Sequence, residues 1–239
     1  MIGHRGEPDA VPEQTIDSFE SSIGHGATTV EADVQFTADG TAVLLHDPTL
    51  DRTTDGTGAL AETSAAEVAK LDAGSWMGKR WAGLKVPTLE EFLALAQERD
   101  VDVILELKRP GTTRSEIQTI LAEVDAHQMS KRTIIESFVP ADLAIVRKVD
   151  PSMRTALITS VATPAGEARQ SGTVIIAKYT VATASQVKRW HQAGLSVLVW
   201  TPNDEAAWEM VRDAGVDGVM TNRTQAYQRW AERACKPDG

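Results

Sequence analysis

The chain has 239 residues, of which 42% are hydrophobic, and this length and composition allow one sizeable core in a single domain covering residues 1–239. The 34 acidic residues outnumber the 24 Lys and Arg residues and give a formal net charge of -10, which argues against nucleic acid and anionic lipid as partners. The single cysteine, Cys235, excludes an internal disulfide, and no signal peptide or membrane-spanning run is evident. We therefore expect a cytoplasmic protein without stable membrane insertion, unless the chain derives from a longer precursor.

Short apolar runs alternate along the chain with amphipathic helices. The pattern predicts eight strands, at residues 2–4, 29–34, 101–107, 132–137, 154–159, 173–177, 196–200 and 216–221. Helices fit between successive strands, as at residues 184–193, and a last helix at residues 225–234 closes the chain. Eight strand–helix units predict an α/β fold, specifically a (β/α)8 TIM barrel. A doubly wound parallel sheet is the alternative, but the sequence lacks the Gly-rich phosphate-binding turns typical of it.

One segment does not fit a plain barrel. Residues 41–45 form an additional predicted strand, which is joined to the second strand through Ala38-Asp39-Gly40, a hairpin signal. A barrel unit does not require this strand. We therefore predict a small insertion after the second strand, at approximately residues 39–85, with a loop in its Gly- and Thr-rich part at residues 53–58.

Three carboxylates are predicted to meet at the end of the barrel where TIM barrels carry their active sites. Glu31 and Asp33 lie two positions apart on the second strand, so both point the same way, and Glu106 lies near the end of the third strand. Such carboxylates would repel one another unless a cation neutralised them, and oxygen ligands suit Mg²⁺ or Ca²⁺ better than zinc. The alternative is an exposed strand face, because the residues that alternate with Glu31 and Asp33 are apolar.

Two cations and two histidines follow strands at the same end. Arg5 comes after the first strand and Lys108 after the third, and together they could bind a phosphate. His4 ends the first strand and His46 follows the additional strand. Two such histidines can divide proton transfer, because one can take a proton from the attacking oxygen while the other gives one to the leaving group.

The sequence also contains an ordered series of short motifs: His4-Arg5-Gly6, Pro12-Glu13-Gln14-Thr15, Glu31-Ala32-Asp33-Val34, Thr37-Ala38-Asp39-Gly40, His46-Asp47, Arg52-Thr53-Thr54, Glu106-Leu107-Lys108, Ser137-Phe138, Trp200-Thr201-Pro202-Asn203 and Gly215-Val216-Asp217-Gly218. This series covers nearly the whole chain and resembles that of the glycerophosphodiester phosphodiesterase family, whose barrel belongs to the PI-PLC-like phosphodiesterase superfamily. The resemblance implies a (β/α)8 barrel with a small insertion after the second strand. It also implies hydrolysis of small-molecule glycerophosphodiesters to sn-glycerol 3-phosphate and an alcohol, with Mg²⁺ or Ca²⁺ as cofactor.

The resemblance further implies a role for each matching residue. It assigns general acid and base catalysis to His4 and His46, substrate binding to Arg5, Lys108, Phe138 and Trp200, metal binding to Glu31, Asp33 and Glu106, and a supporting position to Glu13. The chain departs from the family pattern at Gln14, which is usually Asn, and at Pro202, which is usually aliphatic. Neither departure removes a group that the chemistry needs.

Other functions remain as alternatives to this prediction. A phosphodiesterase or phospholipase-D-like enzyme acting on lysolipids or lipids would work at a membrane, and the acidic chain has no basic or aromatic stretch suited to docking there. A non-catalytic barrel that binds phosphorylated ligands would be expected to lack a histidine or carboxylate of the set. The sequence does not indicate which head-group alcohol is released, whether the ion is Mg²⁺ or Ca²⁺, or what the oligomeric state is. It also does not indicate which histidine is the acid and which the base, or whether water attacks directly or a cyclic phosphate forms first.

Overall fold

The strands of the protein form one sheet, most of which is parallel. The structure is a computed structural model that describes residues 1–108 and 111–234, so Cys235 lies outside the described residues. The strands in the described ranges are β1 (Ile2–His4), β2 (Thr29–Phe36), β3 (Ala42–Leu44), β4 (Asp102–Leu107), β5 (Thr133–Ser137), β6 (Arg154–Thr159), β7 (Val174–Lys178), β8 (Ser196–Trp200) and β9 (Gly218–Thr221).

The parallel strands close into a barrel. Their order is β1-β9-β8-β7-β6-β5-β4-β2, and β1 also pairs with β2, so the first and last strands of the barrel are joined. Closure confirms the predicted TIM barrel and excludes the doubly wound sheet, which has open edges. The predicted strand positions agree with the observed ones, although β9 begins at Gly218, two residues later than predicted.

Helices connect successive strands and begin and end at recognisable signals. They are α1 (Ile16–Gly24), α2 (Ala65–Val68), α3 (Leu89–Glu98), α4 (Arg114–Ala126), α5 (Pro140–Val149), α6 (Ala165–Ser171), α7 (Ala184–Gln192), α8 (Glu205–Ala214) and α9 (Thr224–Ala234). The Thr88 side chain accepts a hydrogen bond from the Glu91 N–H at the start of α3, and Gly215 ends α8 with a left-handed φ of 80°. None of the helices in the described ranges combines the length and apolarity needed to cross a membrane.

The predicted insertion after the second strand is confirmed. β3 pairs antiparallel with β2, with Val34 opposite Leu44, and is followed by short 3-10 turns and α2 before α3 begins at Leu89. The segment has a small hydrophobic cluster of its own, formed by Val43, Leu45, Leu50, Leu60, Val68, Ala73 and Val86. It is therefore packed as a unit against the barrel rather than as a long open loop. That residues 1–239 make up a single domain stays a prediction.

The two faces of the barrel strands are both buried. One set of alternating positions fills the barrel interior with the cluster Ile2, Ile104, Ile134, Ala156, Val174, Ile176 and Met220. On β2 the other set, Val30, Ala32 and Val34, packs in a separate cluster with helix residues such as Phe19 and Phe92. The acidic residues that alternate with them therefore point into the barrel, and the interpretation of β2 as an exposed acidic face is wrong.

Candidate active site

A pocket of about 290 Å³ lies at the C-terminal ends of the barrel strands. Its lining residues are His4, Arg5, His46, Glu106, Lys108, Glu136, Phe138, Ile158, Ile176, Trp200, Thr201 and Met220. A second pocket of about 250 Å³ lies at the opposite end, among the strand starts, and none of the predicted site residues lines it. TIM barrels carry their chemistry at the C-terminal end of the strands, so the pocket with the histidines is the candidate active site.

His4 is held as a neutral imidazole with one nitrogen available. Its Nδ1 lies 2.5 Å from the Oδ1 of Asn222, the residue directly after β9. Because an amide oxygen only accepts, Nδ1 carries the proton and Nε2 has a free lone pair. Burial, followed by the charge of Arg5, lowers the pKa of His4 to about 4. His4 is therefore unprotonated at neutral pH, the form in which Nε2 can accept a proton.

His46 is held differently, through an acidic neighbour. Its Nδ1 donates to Asp47 Oδ1 over 2.6 Å, and Asp47 Oδ2 accepts from Arg52 Nε over 2.6 Å. The hydrogen bond from Arg52 is the main reason that the pKa of Asp47 falls to about 2, so Asp47 is ionised. Burial lowers the pKa of His46, and the charge of Asp33 and the hydrogen bond to Asp47 oppose that shift. The Asp47 carboxylate therefore favours the protonated form of His46 more than the Asn222 amide favours that of His4.

Gln35 fixes the turn that carries His46. It lies on β2 with 7% exposure, and its Nε2 is 2.7 Å from the carbonyl oxygen of Leu45, 3.1 Å from that of His46 and 2.7 Å from that of Asp47. Three backbone acceptors converge on one buried amide, so the insertion is anchored to the barrel at the turn that carries His46.

Glu13 connects the two loops that carry the histidines. Its carboxylate accepts from Arg5 Nη1 over 3.2 Å and from both terminal nitrogens of Arg52, over 3.0 and 2.8 Å. Burial works to raise the pKa of Glu13, but hydrogen bonds and charge from Arg52 and Arg5 outweigh it, and the pKa is lowered. The ionised Glu13 thus joins the Arg5 loop to the Arg52–Asp47–His46 series.

Asp33 positions the two cations of the pocket. Its Oδ2 lies 3.1 Å from Arg5 Nε and 2.7 Å from Gln14 Nε2, and its Oδ1 lies 3.2 Å from Lys108 Nζ. Burial would raise the pKa of Asp33, but Arg5 and then Lys108 outweigh it and bring the pKa to about 2. Gln14, the departure from the family's Asn, therefore still contributes a hydrogen bond to the site.

Three buried glutamates form the one group of carboxylates in residues 1–108 and 111–234 that could hold a metal ion: Glu31, Glu106 and Glu136. Their ligand atoms lie within 4.8 Å of one another. Burial, and next the charge of Asp33, raises the pKa of Glu31 well above its usual range and that of Glu106 to about 8. Of the predicted metal ligands, Glu31 and Glu106 belong to this group, whereas Asp33 is engaged by Arg5 and Lys108.

Two aromatic side chains border the pocket. The rings of Phe138 and Trp200 meet edge to face, with centroids 5.8 Å apart and an interplanar angle of 90°. Phe138 is 47% exposed, which is unusual for a large apolar side chain, and it presents apolar area to the pocket entrance. The loop after Trp200 is fixed by a hydrogen bond from Trp208 Nε1 to the carbonyl oxygen of Pro202, over 2.8 Å.

The chain is similar in sequence and in structure to known phosphodiesterases. The model of the glycerophosphoryl diester phosphodiesterase family matches residues 4–226. The chain belongs to this family. It is 33% identical over 230 residues to the glycerophosphodiester phosphodiesterase of Caldanaerobacter subterraneus subsp. tengcongensis, with 93% of each chain covered. It is 32% identical to the glycerophosphodiester phosphodiesterase of Bacillus subtilis (strain 168), with 95% of this chain and 85% of the relative covered.

A solved structure of another phosphodiesterase has the same fold as this family member. The phosphodiesterase of Oleispira antarctica, in complex with the product sn-glycerol-3-phosphate, has a TM-score of 0.90 at 29% identity, with 97% of this chain and 96% of that chain covered. The predicted family and the predicted enzyme class are therefore confirmed.

Three polar residues of this phosphodiesterase's site were neither predicted site residues nor part of the motif series: Gln35, Glu136 and Asn222. Glu136 lies two positions before Phe138 and is the neighbour of Glu106 in the β4–β5 register, so the strand period could have identified it. Gln35 likewise continues the inward series of Glu31 and Asp33. Asn222 follows the last strand directly, but only closure of the barrel brings it to His4.

Proposed function

We propose that this enzyme hydrolyses glycerophosphodiesters to sn-glycerol 3-phosphate and an alcohol. One observation carries the proposal: a single pocket is lined by two histidines, two cations and two buried carboxylates at the C-terminal ends of the barrel strands. Cleavage of a phosphodiester uses such a set, because its charge must be neutralised while protons leave the nucleophile and reach the leaving group. The names of the relatives, and the sn-glycerol-3-phosphate bound by the Oleispira antarctica protein, support this substrate class.

Arg5 and Lys108 are proposed to bind the phosphate. Both cations are ion-paired with the buried Asp33 carboxylate, which holds them near each other before the substrate arrives. Arg5 can offer two parallel N–H donors to the phosphate oxygens, and Lys108 offers a compact positive charge. These fixed cations would attract an anionic diester into the pocket of a chain whose net charge is -10.

A divalent cation fits the carboxylates of the pocket. Glu31 and Glu106, with Asp33 as the predicted third residue, would hold Mg²⁺ or Ca²⁺, because hard cations prefer oxygen ligands. Glu31 Oε1 is buried without a hydrogen-bond partner in the described part of the chain, and burial, followed by the charge of Asp33, raises the pKa values of Glu31 and Glu106. When bound, such an ion would neutralise phosphodiester charge and polarise a phosphoryl oxygen.

The two histidines are proposed to transfer the protons. His4 Nε2 would take the proton of the attacking oxygen, from water or from the neighbouring glycerol hydroxyl, as the new P–O bond forms. His46, with its Nδ1–H held by Asp47, would give a proton to the alkoxide as the bond to the alcohol breaks. If the glycerol hydroxyl attacks, a cyclic phosphate forms first and is then opened by water.

Release of sn-glycerol 3-phosphate from a panel of diesters tests this function. Glycerophosphocholine, glycerophosphoethanolamine and glycerophosphoinositol are each offered after chelation, with Mg²⁺ or Ca²⁺ added back separately. We expect turnover of at least one diester, restored by at least one ion. Turnover of lysolipids alone would favour the lipid-directed alternative, and activity that survives exhaustive chelation would remove the cation from the proposal. The cytoplasmic location stays a prediction.

A further inference from the structure

Glu136 is a buried carboxylate of the pocket that takes no part in the proposed proton transfers or phosphate binding. It lies on β5 as the direct neighbour of Glu106 on β4, and the two side chains point into the barrel together. Glu136 is 2% exposed and lines the pocket beside His4, His46 and Lys108. Carboxylates are rarely this deeply buried unless a cation or a hydrogen-bond network compensates them.

The pocket contains more buried negative charge than its cations balance. Among the described residues, four buried carboxylates lie in or directly beside it together with two cations: Glu31, Asp33, Glu106 and Glu136 with Arg5 and Lys108. The two cations form ion pairs with Asp33, and Lys108 also with Glu106. If all four carboxylates are ionised, they exceed the two cations by two negative charges, and because Glu13 also pairs with Arg5 the remaining charge is not offset by the cations. One divalent ion carries the charge that would neutralise this excess.

Unpartnered oxygen atoms point to a ligand at this place. In residues 1–108 and 111–234, Glu136 Oε2 and Glu31 Oε1 are buried and have no hydrogen-bond partner, although Glu31 Oε2 accepts from the Arg5 N–H over 2.9 Å. Both glutamates are at least nine-tenths buried. One carboxylate oxygen of each of these glutamates and one of Glu106 lie within 4.8 Å of one another, so the three carboxylates border one small space.

We propose that Glu136 is a ligand of the divalent cation, in addition to the carboxylates predicted from the sequence. This inference rests on the cation site of the proposed function. Ca²⁺ takes six to eight oxygen ligands and Mg²⁺ takes six, so a further carboxylate can be accommodated. Because Asp33 shares its charge with Arg5 and Lys108, Glu136 supplies negative charge that is free for the ion. The number of charged ligands sets the affinity of such sites.

Calorimetric titration of the chelator-treated protein with Ca²⁺ and with Mg²⁺, each alone, tests the inference. Glu136→Gln keeps the size of the side chain and removes its charge. We expect this variant to bind the tighter of the two ions about tenfold more weakly, or worse, because one charged ligand is lost. The matched control is Glu123→Gln, on α4 outside the barrel, where a half-buried carboxyl also has a pKa raised by burial, to about 7. The control should bind both ions as the wild-type protein does.

Thermal unfolding separates ligation from a merely structural role. In chelator, Glu136→Gln should unfold at a temperature no lower than the wild-type protein, because the amide replaces a carboxyl that lacks a partner at Oε2. On addition of the ion, the wild-type unfolding temperature should rise more than that of the variant. A variant that is destabilised equally with and without the ion would mean that Glu136 serves packing only.

Parallel assays distinguish failure of this inference from failure of the proposed function. Wild-type affinity in Glu136→Gln, with sn-glycerol 3-phosphate still released by the wild-type protein, would overturn the role of Glu136 alone. Absence of Ca²⁺ and Mg²⁺ binding in the wild-type protein would overturn this inference together with the cation site. Weakened ion binding in the variant without any diester turnover by the wild-type protein would support the ligand and contradict the proposed reaction.

Discussion

The two histidines of the pocket have different partners, and the partners determine what each ring can do. An amide oxygen on His4 fixes the tautomer and leaves the ring neutral, whereas a carboxylate on His46 stabilises its protonated form. These different partners are the reason that we propose His4 as the base and His46 as the acid.

Substrates that differ in leaving group should separate these roles. We expect His4→Ala and His46→Ala each to lower kcat on glycerophosphocholine by about 10²–10⁴-fold, the usual contribution of general acid or base catalysis. With a p-nitrophenyl diester, whose leaving group needs no proton, His46→Ala should recover most of its activity and His4→Ala should not. Steady-state kinetics on both substrates provides the measurement. Equal recovery in the two variants would contradict the assignment.

The buried carboxyl of Glu106 predicts a dependence of stability on pH in chelator. Its pKa is about 8 in the folded protein, against an ordinary value of 4.5, so between these pH values the folded state keeps a proton that the unfolded state releases. This one group therefore lowers the free energy of unfolding as pH rises from about 4.5 to 8, by up to about 1.4 kcal/mol per pH unit. Glu106→Gln should give a flatter profile in urea unfolding at several pH values, and parallel profiles would contradict the prediction.

At the scale of elements, the insertion brings the second histidine to the barrel, and Arg52 holds it there. The Arg52 guanidinium contacts Asp47 within the insertion and Glu13 beyond it, so one side chain links the His46 turn to the Arg5 loop. The Arg52 side chain is 42% exposed, so its ion pairs contribute little to stability. Its fork of donors instead fixes the relative positions of Asp47 and Glu13.

Removal of Arg52 should therefore affect turnover more than stability. We expect Arg52→Ala to lower kcat about 10–100-fold, as is usual for residues that orient a catalytic side chain, while the free energy of unfolding changes by about 1 kcal/mol or less. Arg52→Lys should recover only part of kcat, because an ammonium cannot reproduce the fork of donors. Lys79→Ala, an exposed cation of the same insertion, is the control and should leave kcat unchanged. A KM effect without a kcat effect would contradict a positioning role.

The local patterns of the chain predict the elements well, but not every partner at the site. Apolar periodicity and strand-end signals place the eight barrel strands and the insertion, because these depend on neighbours in sequence. The spacing of Glu31 and Asp33 likewise predicts that they point the same way. Asp33 forms ion pairs with Arg5 and Lys108 and does not join Glu31 in the group of clustered glutamates. Asp33, Arg5 and Lys108 lie on or directly after three different strands, so their contacts become evident only in the folded barrel.

At the scale of the whole molecule, Glu7 connects the first helix, α1, to the last described helix, α9. Its Oε1 accepts from the backbone N–H of Gln225 in α9 over 2.9 Å. Its Oε2 accepts from the hydroxyl of Ser21 in α1 over 2.8 Å and lies 2.7 Å from Nδ1 of His25, which follows α1 directly. Glu7 is 2% exposed, and burial would raise its pKa, but the hydrogen bonds from Gln225, Ser21 and His25 outweigh burial and lower it. One carboxylate thus joins the first and last helices of the described chain.

Loss of this carboxylate should destabilise the fold. We expect Glu7→Ala to lower the free energy of unfolding by about 2–3 kcal/mol, because buried donors lose a charged acceptor. Glu20→Ala, which removes an exposed ion pair with Arg99 from the same helix α1, should cost about 1 kcal/mol or less. Urea unfolding of both variants, with kcat measured in parallel, provides the test. Equal effects in the two variants would contradict the role of Glu7.

The bond between His4 and Asn222 has a consequence for the order in which the enzyme becomes active. The two residues are 218 positions apart, so the His4 ring cannot form this hydrogen bond until the final barrel strand, β9, has been synthesised and has paired with β1. Contacts of such long sequence separation form late and slowly in folding. A nascent or truncated chain can therefore carry both histidines together with Arg5 and Lys108 and still be inert. The first turnover of a newly made molecule reports that its barrel has closed.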